Sequence, residues 1–561
     1  MPTGKAIVMS NDTGKLGVPP TESKTTGTVG NLSHGNRETP ETSAAPMAAD
    51  RSEKARCHKP DMHVAGESHS PVVPMRPANN SGVPPHAESA EGRGLTKENT
   101  SSTLLDRTQC RNADGTPSVP RSRGLWGVRQ AAQRDRKLRF TSLLHHITPE
   151  LLRASFFELK KQAAPGVDDE TWRDYATDFE RRIDDLHGRI HRGAYRAKPS
   201  KRTYIPKPDG KMRPLGIAAL EDKIVQRAAR TVLECVYEAD FLGFSYGFRP
   251  GRSQHQALDA LYVGIMKRKV NWIIDADIRG FFDNISHEWL LKFLEHRIAD
   301  RRMLRLLKKW LRAGVSEDGE WSPTKVGTPQ GAVISPLLAN VFLHYVLDLW
   351  INDWRKRRAR GEVIIIRYAD DFVIGFREET DARRCLTELR ERFAKFQLEL
   401  HPEKTRLIEF GRYAEERRAK RGDGPPETFD FLGFTHISGK TRRGDFAIHR
   451  KTSRKKFRAK LLDMKTKLSR RMHDDLAQVG VWLQSVFRGW CQYYAVPGNF
   501  ARLRQFRDAL QVMWLRTLRR RSQRGRNLTW DKFSKLCQRW LPTPKILHPY
   551  PNVRFASQHP R

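Results

Sequence analysis

Asp370 and Asp371 stand side by side between two short β-branched and aromatic runs, Val363-Ile-Ile-Ile-Arg-Tyr368 and Phe372-Val-Ile-Gly-Phe376. The pattern predicts a strand, a tight turn and a strand, with two carboxylates at the hairpin tip. Upstream, Trp272-Ile-Ile-Asp-Ala-Asp-Ile278 reads as a second acid-bearing strand. Its acids, Asp275 and Asp277, are two positions apart and share a strand face, so periodicity does not choose between them. One acid from this strand and one or two from the hairpin make the donor set of a phosphoryl-transfer site. Such a site holds two Mg²⁺ ~3.5–4 Å apart, which keep the attacking and leaving oxygens in line. An isolated Asp-Asp would read as a polar turn. That reading leaves Tyr368-Ala369 and the second acidic strand without a purpose.

The chain that must position these acids has 561 residues, room for two or three domains. Its 102 Lys and Arg against 64 Asp and Glu give a formal charge of +38. Such an excess points to a polyanionic partner, nucleic acid before membrane. No uninterrupted apolar segment approaches the ~20 residues of a membrane span. The opening Met1-Pro-Thr-Gly-Lys5 lacks the apolar core of a signal peptide. Cys57, Cys110, Cys235, Cys385, Cys491 and Cys537 show no paired spacing. They read as reduced cytosolic thiols, neither a disulfide framework nor a zinc site.

Residues 1–120 are rich in Gly, Ser, Thr, Pro and Asn and are expected to be disordered. The basic stretch Arg129–Arg139 is either a helix lying on RNA or a solvated helix face. Thr148-Pro149 predicts a helix start, with Thr148 as N-cap and Pro149 at the first position. From about 200 to 435, short β-rich runs alternate with amphipathic helices such as 254–267 and 287–298, the latter capped by Ser286. This is α/β or α+β organisation. From Lys440 to Arg471 there are fourteen Lys and Arg and two acids, Asp445 and Asp463. In the helical region beyond, Trp482, Phe487, Trp490, Tyr493, Tyr494 and Trp514 interleave with arginines.

Five further blocks carry chemistry. Tyr204–Gly216 places a Pro-Asp-Gly turn between basic arms, a ribbon able to present Lys207 and Arg213 to a triphosphate. Phe244–Ser253 is aromatic, basic and Gly-bearing; it either tracks a nucleic-acid backbone or is a structural loop. Gly327–Asn340 is a Gly/Pro loop leading into a helix, with Gln330 able to hydrogen-bond a sugar or base. Leu398–Thr405 sets Lys404 in a loop. Phe429–Phe434 is a compact apolar turn that closes a core. Within Asp277–Asn284, Asp283 is expected to cap the next helix.

Seven motifs in order resemble the reverse transcriptases encoded by bacterial group II introns, the intron maturases. They are Ile205-Pro-Lys-Pro-Asp-Gly-Lys211, Tyr246-Gly-Phe-Arg-Pro250, Asp277-Ile-Arg-Gly-Phe-Phe-Asp283, Thr328-Pro-Gln-Gly331, Ser335-Pro-Leu-Leu-Ala-Asn340, Tyr368-Ala-Asp-Asp371 and Phe431-Leu-Gly-Phe434. Ala164-Pro-Gly-Val-Asp168 and Gly489-Trp-Cys-Gln-Tyr-Tyr494 add support, and the likeness runs from about 125 to 545. The resemblance implies an α+β right-hand polymerase with fingers, palm, a helical thumb that doubles as the maturase domain, and a disordered N-terminal region. The implied division is 1–120 disordered, 121–200 a helical extension of the fingers, 201–438 fingers and palm, 439–545 thumb and maturase, and 546–561 a tail.

The resemblance also chooses Asp277 over Asp275. With Asp370 and Asp371 it completes a catalytic, Mg²⁺-binding triad. Phe282 corresponds to the gate against a ribose 2′-hydroxyl, Lys207 and Arg213 to the triphosphate grip, and Gln330 and Gly331 to the sugar-side pocket. Lys404 corresponds to a proton donor for pyrophosphate. Implied partners are the group II intron RNA, an RNA template with a DNA primer, dNTPs and target DNA. The basic segment 440–471 and the aromatic thumb are expected to hold structured RNA by phosphate contact and shape, the segment lying away from the three acids in sequence. The chain departs from the pattern at Ala332 and Asp169, where many relatives have Gly. Family members with a zinc endonuclease carry paired ligands; beyond Cys537 only His548 and His559 remain, so that module is not expected. Rival readings are a splicing-only maturase and a reverse transcriptase domesticated for another role.

Overall fold

The computed structural model describes residues 123–206, 212–324 and 326–558. The expected disorder of 1–120 and the position of Lys207 lie outside them. Eleven strands among the described residues form three sheets. β1 (Ser200–Pro206), β2 (Met212–Ile217), β4 (Val315–Glu317) and β5 (Glu320–Ser322) make one in the order β2-β1-β4-β5. The central sheet is antiparallel, in the order β6-β7-β3-β8. It comprises β3 (Trp272–Ala276), β6 (Val363–Tyr368), β7 (Asp371–Phe376) and β8 (Arg406–Glu409). The third is β11-β10-β9, from β9 (Phe429–Phe431), β10 (Phe434–Lys440) and β11 (Phe446–Thr452).

The central sheet is covered on both faces, and its alternation sorts residues between two cores. Ile274, Ala276, Ile365, Phe372, Ile374 and Phe376 enter one core with the amino-side helices. Ile273, Ile366, Val373 and Ile408 enter the other. That second core continues through Phe429, Phe431 and Phe434 into the carboxyl-side helices Leu476–Tyr494 and Phe500–Arg521. A boundary at 438/439 therefore runs through the β10–β11 hairpin, where Gly439 pairs with Ala447.

Local signals place the helix starts. Thr148 Oγ1 accepts from Leu151 N–H and Pro149 opens the helix Pro149–Phe157. Ser286 caps His287–Glu295, so Asp283 is not the cap; it lies in a single 3₁₀ turn, Phe281–Asp283. The basic stretch is helical only through Arg134, in the helix Arg123–Arg134 whose Leu125, Val128 and Ala132 are buried; Arg134 and, past the helix, Arg136, Lys137 and Arg139 are exposed. Asp169 adopts φ +48, the left-handed geometry that glycine would take and that Asp tolerates. Ala332 is buried and is not among the residues with positive φ, so the extra methyl fits without strain.

The expected tail is built into the fold. The helix Pro551–Gln558 packs along Gln254–Lys267. Arg554 donates to the buried Asp259, which also accepts from Arg450 Nη1 at 3.3 Å. Arg554 Nη1 donates to His548 Nδ1 at 2.8 Å, leaving His548 Nε2–H to donate to the Gln492 carbonyl at 2.7 Å. Among the described residues no helix is long and apolar enough to cross a membrane.

Removing one member of a buried ionic group strands the rest without compensation. Asp259→Ala is therefore expected to lower stability by roughly 3–5 kcal/mol. Urea unfolding of the full chain checks this, and a loss below about 1 kcal/mol, the scale of an exposed pair, would refute it.

Candidate active site

β6 and β7 pair in register so that Tyr368 faces Asp371, leaving Ala369 and Asp370 as the whole turn. Ala369 takes φ +59, a conformation that costs a residue with a Cβ about 1–2 kcal/mol. The turn is backed by Gly247, where a Cβ would stand 2.3 Å from the Ala369 nitrogen. Only glycine lets these two backbones meet. The loop Phe244–Ser253 is thus a structural brace. Its Arg249 is buried and bonded to Glu238 and to the carbonyls of Leu242 and Ser245.

Asp371 opens β7, and the Leu432 backbone N–H favours its charged form. Burial raises its carboxyl to about 8, and the charges of Asp275, Asp370 and Asp277 push the same way. Asp370 is also raised, first by burial and then by Asp277, against the opposing charges of Arg213 and Arg367. Asp275 stands on β3 and is pushed to about 6 by burial, which Arg406 Nη2 at 3.4 Å partly offsets. Asp277 lies one residue past the end of β3. Its carbonyl accepts from His401 N–H at 2.8 Å, and Lys404 Nζ sits 2.7 Å from its Oδ2.

All four acids are hard oxygen donors, the chemistry that suits Mg²⁺. Their mutual repulsion is what a divalent cation would relieve. The residues present fit such an ion chemically. As they stand, no group of three or more His, Cys, Asp or Glu among the described residues is closed up for metal binding. Lys404 places its ammonium on Asp277 instead.

A cleft of about 750 Å³ opens beside these acids. Asp275, Asp277 and Asp371 line it, and so do Arg454, Lys455 and Arg458. The last three belong to the helix Arg454–Arg470, within the segment expected to hold structured RNA and distant from the acids in sequence. The first part of that segment is not helical at all but the β10–β11 hairpin. Asp430 also lines the cleft, held by Thr435 Oγ1 and by Ser453 Oγ at 2.8 Å. Reading Phe429–Phe434 as an apolar turn missed it. The alternation Phe429-Asp430-Phe431 was the available sign, since the two rings are buried and the acid between them is exposed.

Phe282 is half-buried in the turn Phe281–Asp283, and its carbonyl accepts from Thr328 N–H at 2.8 Å. Gln330 Nε2 reaches Asp283 at 3.4 Å, and the Gln330 carbonyl accepts from Gly216 N–H on β2 at 2.7 Å. Gly331 has φ +112, and a Cβ there would meet the Gly216 carbonyl at 2.8 Å. The 3₁₀ turn, the Thr328–Gly331 loop and the ribbon bearing Arg213 are thereby joined. Of the six carboxyl-side rings, Phe487, Trp490, Tyr494 and Trp514 are buried, with Trp490 stacked on Phe506 at 4.4 Å, while Trp482 and Tyr493 are half-buried.

Residues 205–436 match the family model described as reverse transcriptase (RNA-dependent DNA polymerase). Protein YkfC of Escherichia coli (strain K12) is 33% identical over 356 residues, covering 56% of this chain and 88% of that protein. Group II intron-encoded protein LtrA of Lactococcus lactis subsp. cremoris is 27% identical over 469 residues, 68% of this chain and 74% of that protein. Putative COX1/OXI3 intron 1 protein of Saccharomyces cerevisiae is 28% identical over 401 residues, 58% of this chain and 46% of that protein. With this likeness extending from the polymerase region into intron-encoded proteins, the chain belongs to the reverse transcriptases of group II introns, RNA-directed DNA polymerases with a maturase role.

Proposed function

We propose that Asp277, Asp370 and Asp371 are the catalytic carboxylates and hold two Mg²⁺ ions. The observation that carries the reading is the cleft that Asp277 and Asp371 line together with Arg454, Lys455 and Arg458, with Asp370 on the adjoining turn. The reaction is attack of a primer 3′-hydroxyl on the α-phosphate of a dNTP, with pyrophosphate leaving. Bound divalent ions would supply positive charge to the attacking and leaving oxygens.

The protein's own groups bind and orient. Lys207 and Arg213 grip the triphosphate; the field of Arg213 at Asp370 supports its part, and that of Lys207 rests on the sequence. Phe282 is the gate against the 2′-hydroxyl, beside the sugar-side pocket of Gln330 and Gly331. Its support is the fixed backbone of the Phe281–Asp283 turn. Lys404, ion-paired to Asp277, is the candidate proton donor to pyrophosphate. Arg454, Lys455 and Arg458 grip phosphates of the template-primer. Intron RNA, template RNA with a DNA primer, and target DNA are the nucleic-acid partners, in the cytoplasm.

Asp277→Ala or Asp370→Ala should abolish primer extension in Mg²⁺ while intron RNA binding stays near wild type. Wild-type extension by either variant would refute the catalytic assignment. Failure of the parent chain itself to extend a primer would favour a splicing-only reading.

Phe282→Val should raise the ribonucleotide-to-deoxyribonucleotide ratio of kcat/KM by roughly tenfold or more, the worth of a lost steric contact. Single-nucleotide extension measures it, and an unchanged ratio removes the gate.

Replacing Arg454, Lys455 and Arg458 together by Gln should raise the KM for template-primer and flatten its salt dependence by roughly 0.7–0.9 per lost phosphate contact. Extension across a KCl series reads both. If only intron RNA affinity changes, these residues serve the intron and not the primer.

A further inference from the structure

Arg367 is the penultimate residue of β6, two positions before Ala369 of the acid-bearing turn. It is wholly buried, as is its ion-pair partner Asp348. Each of the five N–H groups of its guanidinium has an acceptor. Nε and Nη2 donate to the two carboxylate oxygens of Asp348 at 2.7 and 2.6 Å, a bidentate pair. Nη2 also donates to Ser245 Oγ at 2.7 Å. Nη1 donates to Asn340 Oδ1 and to the Ala369 carbonyl, both at 2.9 Å.

The acceptors outside the turn come from three separate segments. Ser245 belongs to the Phe244–Ser253 loop, which also pairs with Arg367 through its main chain: Arg367 N–H donates to Phe244 O at 2.9 Å, and Tyr246 N–H to Arg367 O at 2.8 Å. Asn340 closes the Ser335–Asn340 motif and donates to the Gly247 carbonyl at 2.7 Å, behind the turn. Asp348 ends a π-helical turn, His344–Asp348. Burying an ion pair gains little over apolar side chains of the same volume. Stability alone gives no reason to direct a guanidinium N–H at the carbonyl of a strained turn residue.

We propose that Arg367 is a positioning residue for polymerisation: by holding the Ala369 carbonyl it fixes the left-handed turn that aims Asp370 and Asp371. The proposal rests on the reading of those two acids as catalytic. A Lys at 367 keeps a positive charge beside Asp348, but an ammonium with three donors cannot hold Asp348, Ser245, Asn340 and Ala369 together.

The test uses the full chain with poly(rA)/oligo(dT) and dTTP, comparing Arg367→Lys, the double variant Arg367→Met with Asp348→Leu, and Asp370→Ala. The double variant removes both buried charges and so separates stability from positioning. For Arg367→Lys, kcat should fall by roughly 100-fold, the scale of a small misplacement of reacting groups. The KM for dTTP should change by less than about threefold, since ground-state binding is not what is lost. Hydrogen exchange of the amides around the turn should quicken while the helix Ser335–Leu343 stays protected. The double variant should melt near wild type yet show the same loss of kcat. Wild-type kcat in either folded variant, with Asp370→Ala inactive, overturns the positioning role alone. An active Asp370→Ala overturns the catalytic reading beneath it. Failure of both Arg367 variants to fold also overturns the proposal, because the network would then be a condition of the core and not of the turn.

Discussion

Four aspartates crowd one end of the central sheet, and their repulsion in a partly buried setting is the constraint around which the rest is arranged. Burial and like charge both favour the neutral carboxyl, and Asp371, Asp370 and Asp275 are all raised. A soft turn would let these groups spread into solvent. The hairpin prevents this with a two-residue turn in a strained conformation, Gly247 pressed against its back, and a buried guanidinium on its carbonyl. Partial compensation comes from Arg406 at Asp275, Lys404 at Asp277 and the Leu432 N–H at Asp371. The negative charge left over suits a reaction that brings divalent cations with its substrate.

The same constraint links the sheet to the carboxyl-side helices. The Leu432 backbone N–H favours the charged form of Asp371, and the Leu432 carbonyl accepts from Tyr493 Oη at 2.7 Å. Phe434 packs on both Tyr493 and Tyr494. The helix Leu476–Tyr494 thus holds the backbone of the residue whose N–H acts on an acid of the central sheet. The core around it runs unbroken from the sheet into those helices. The helix Pro551–Gln558 adds a further tie through the charged group at Asp259.

Much of this was legible along the chain, because caps, turns and alternation act over a few residues. The acid-tipped hairpin, the strand bearing Asp275, the cap at Thr148 and the cap at Ser286 follow from local sequence, and so does the family resemblance carried by ordered motifs. Alternation also sends Ile273 and Ile274 to opposite cores. It could not choose between Asp275 and Asp277, since both fall on one face, and both line the cleft, Asp275 on β3 and Asp277 just beyond it.

Other features were decided only by tertiary packing. The basic residues Arg454, Lys455 and Arg458 line the same cleft as Asp277, their helix following directly on the β10–β11 hairpin. Trp490 and Trp514 are core rings, since helices meeting across the chain bury them, and spacing among arginines carries no record of that. The loop Phe244–Ser253 is a brace because Arg367, more than a hundred positions later, pairs with it. The sequence by itself determined the elements and the acids at their tips, through interactions spanning a turn or a strand. Only the folded chain decided which distant side chains surround those acids, because such contacts depend on how the elements pack and leave no periodic trace in any one of them.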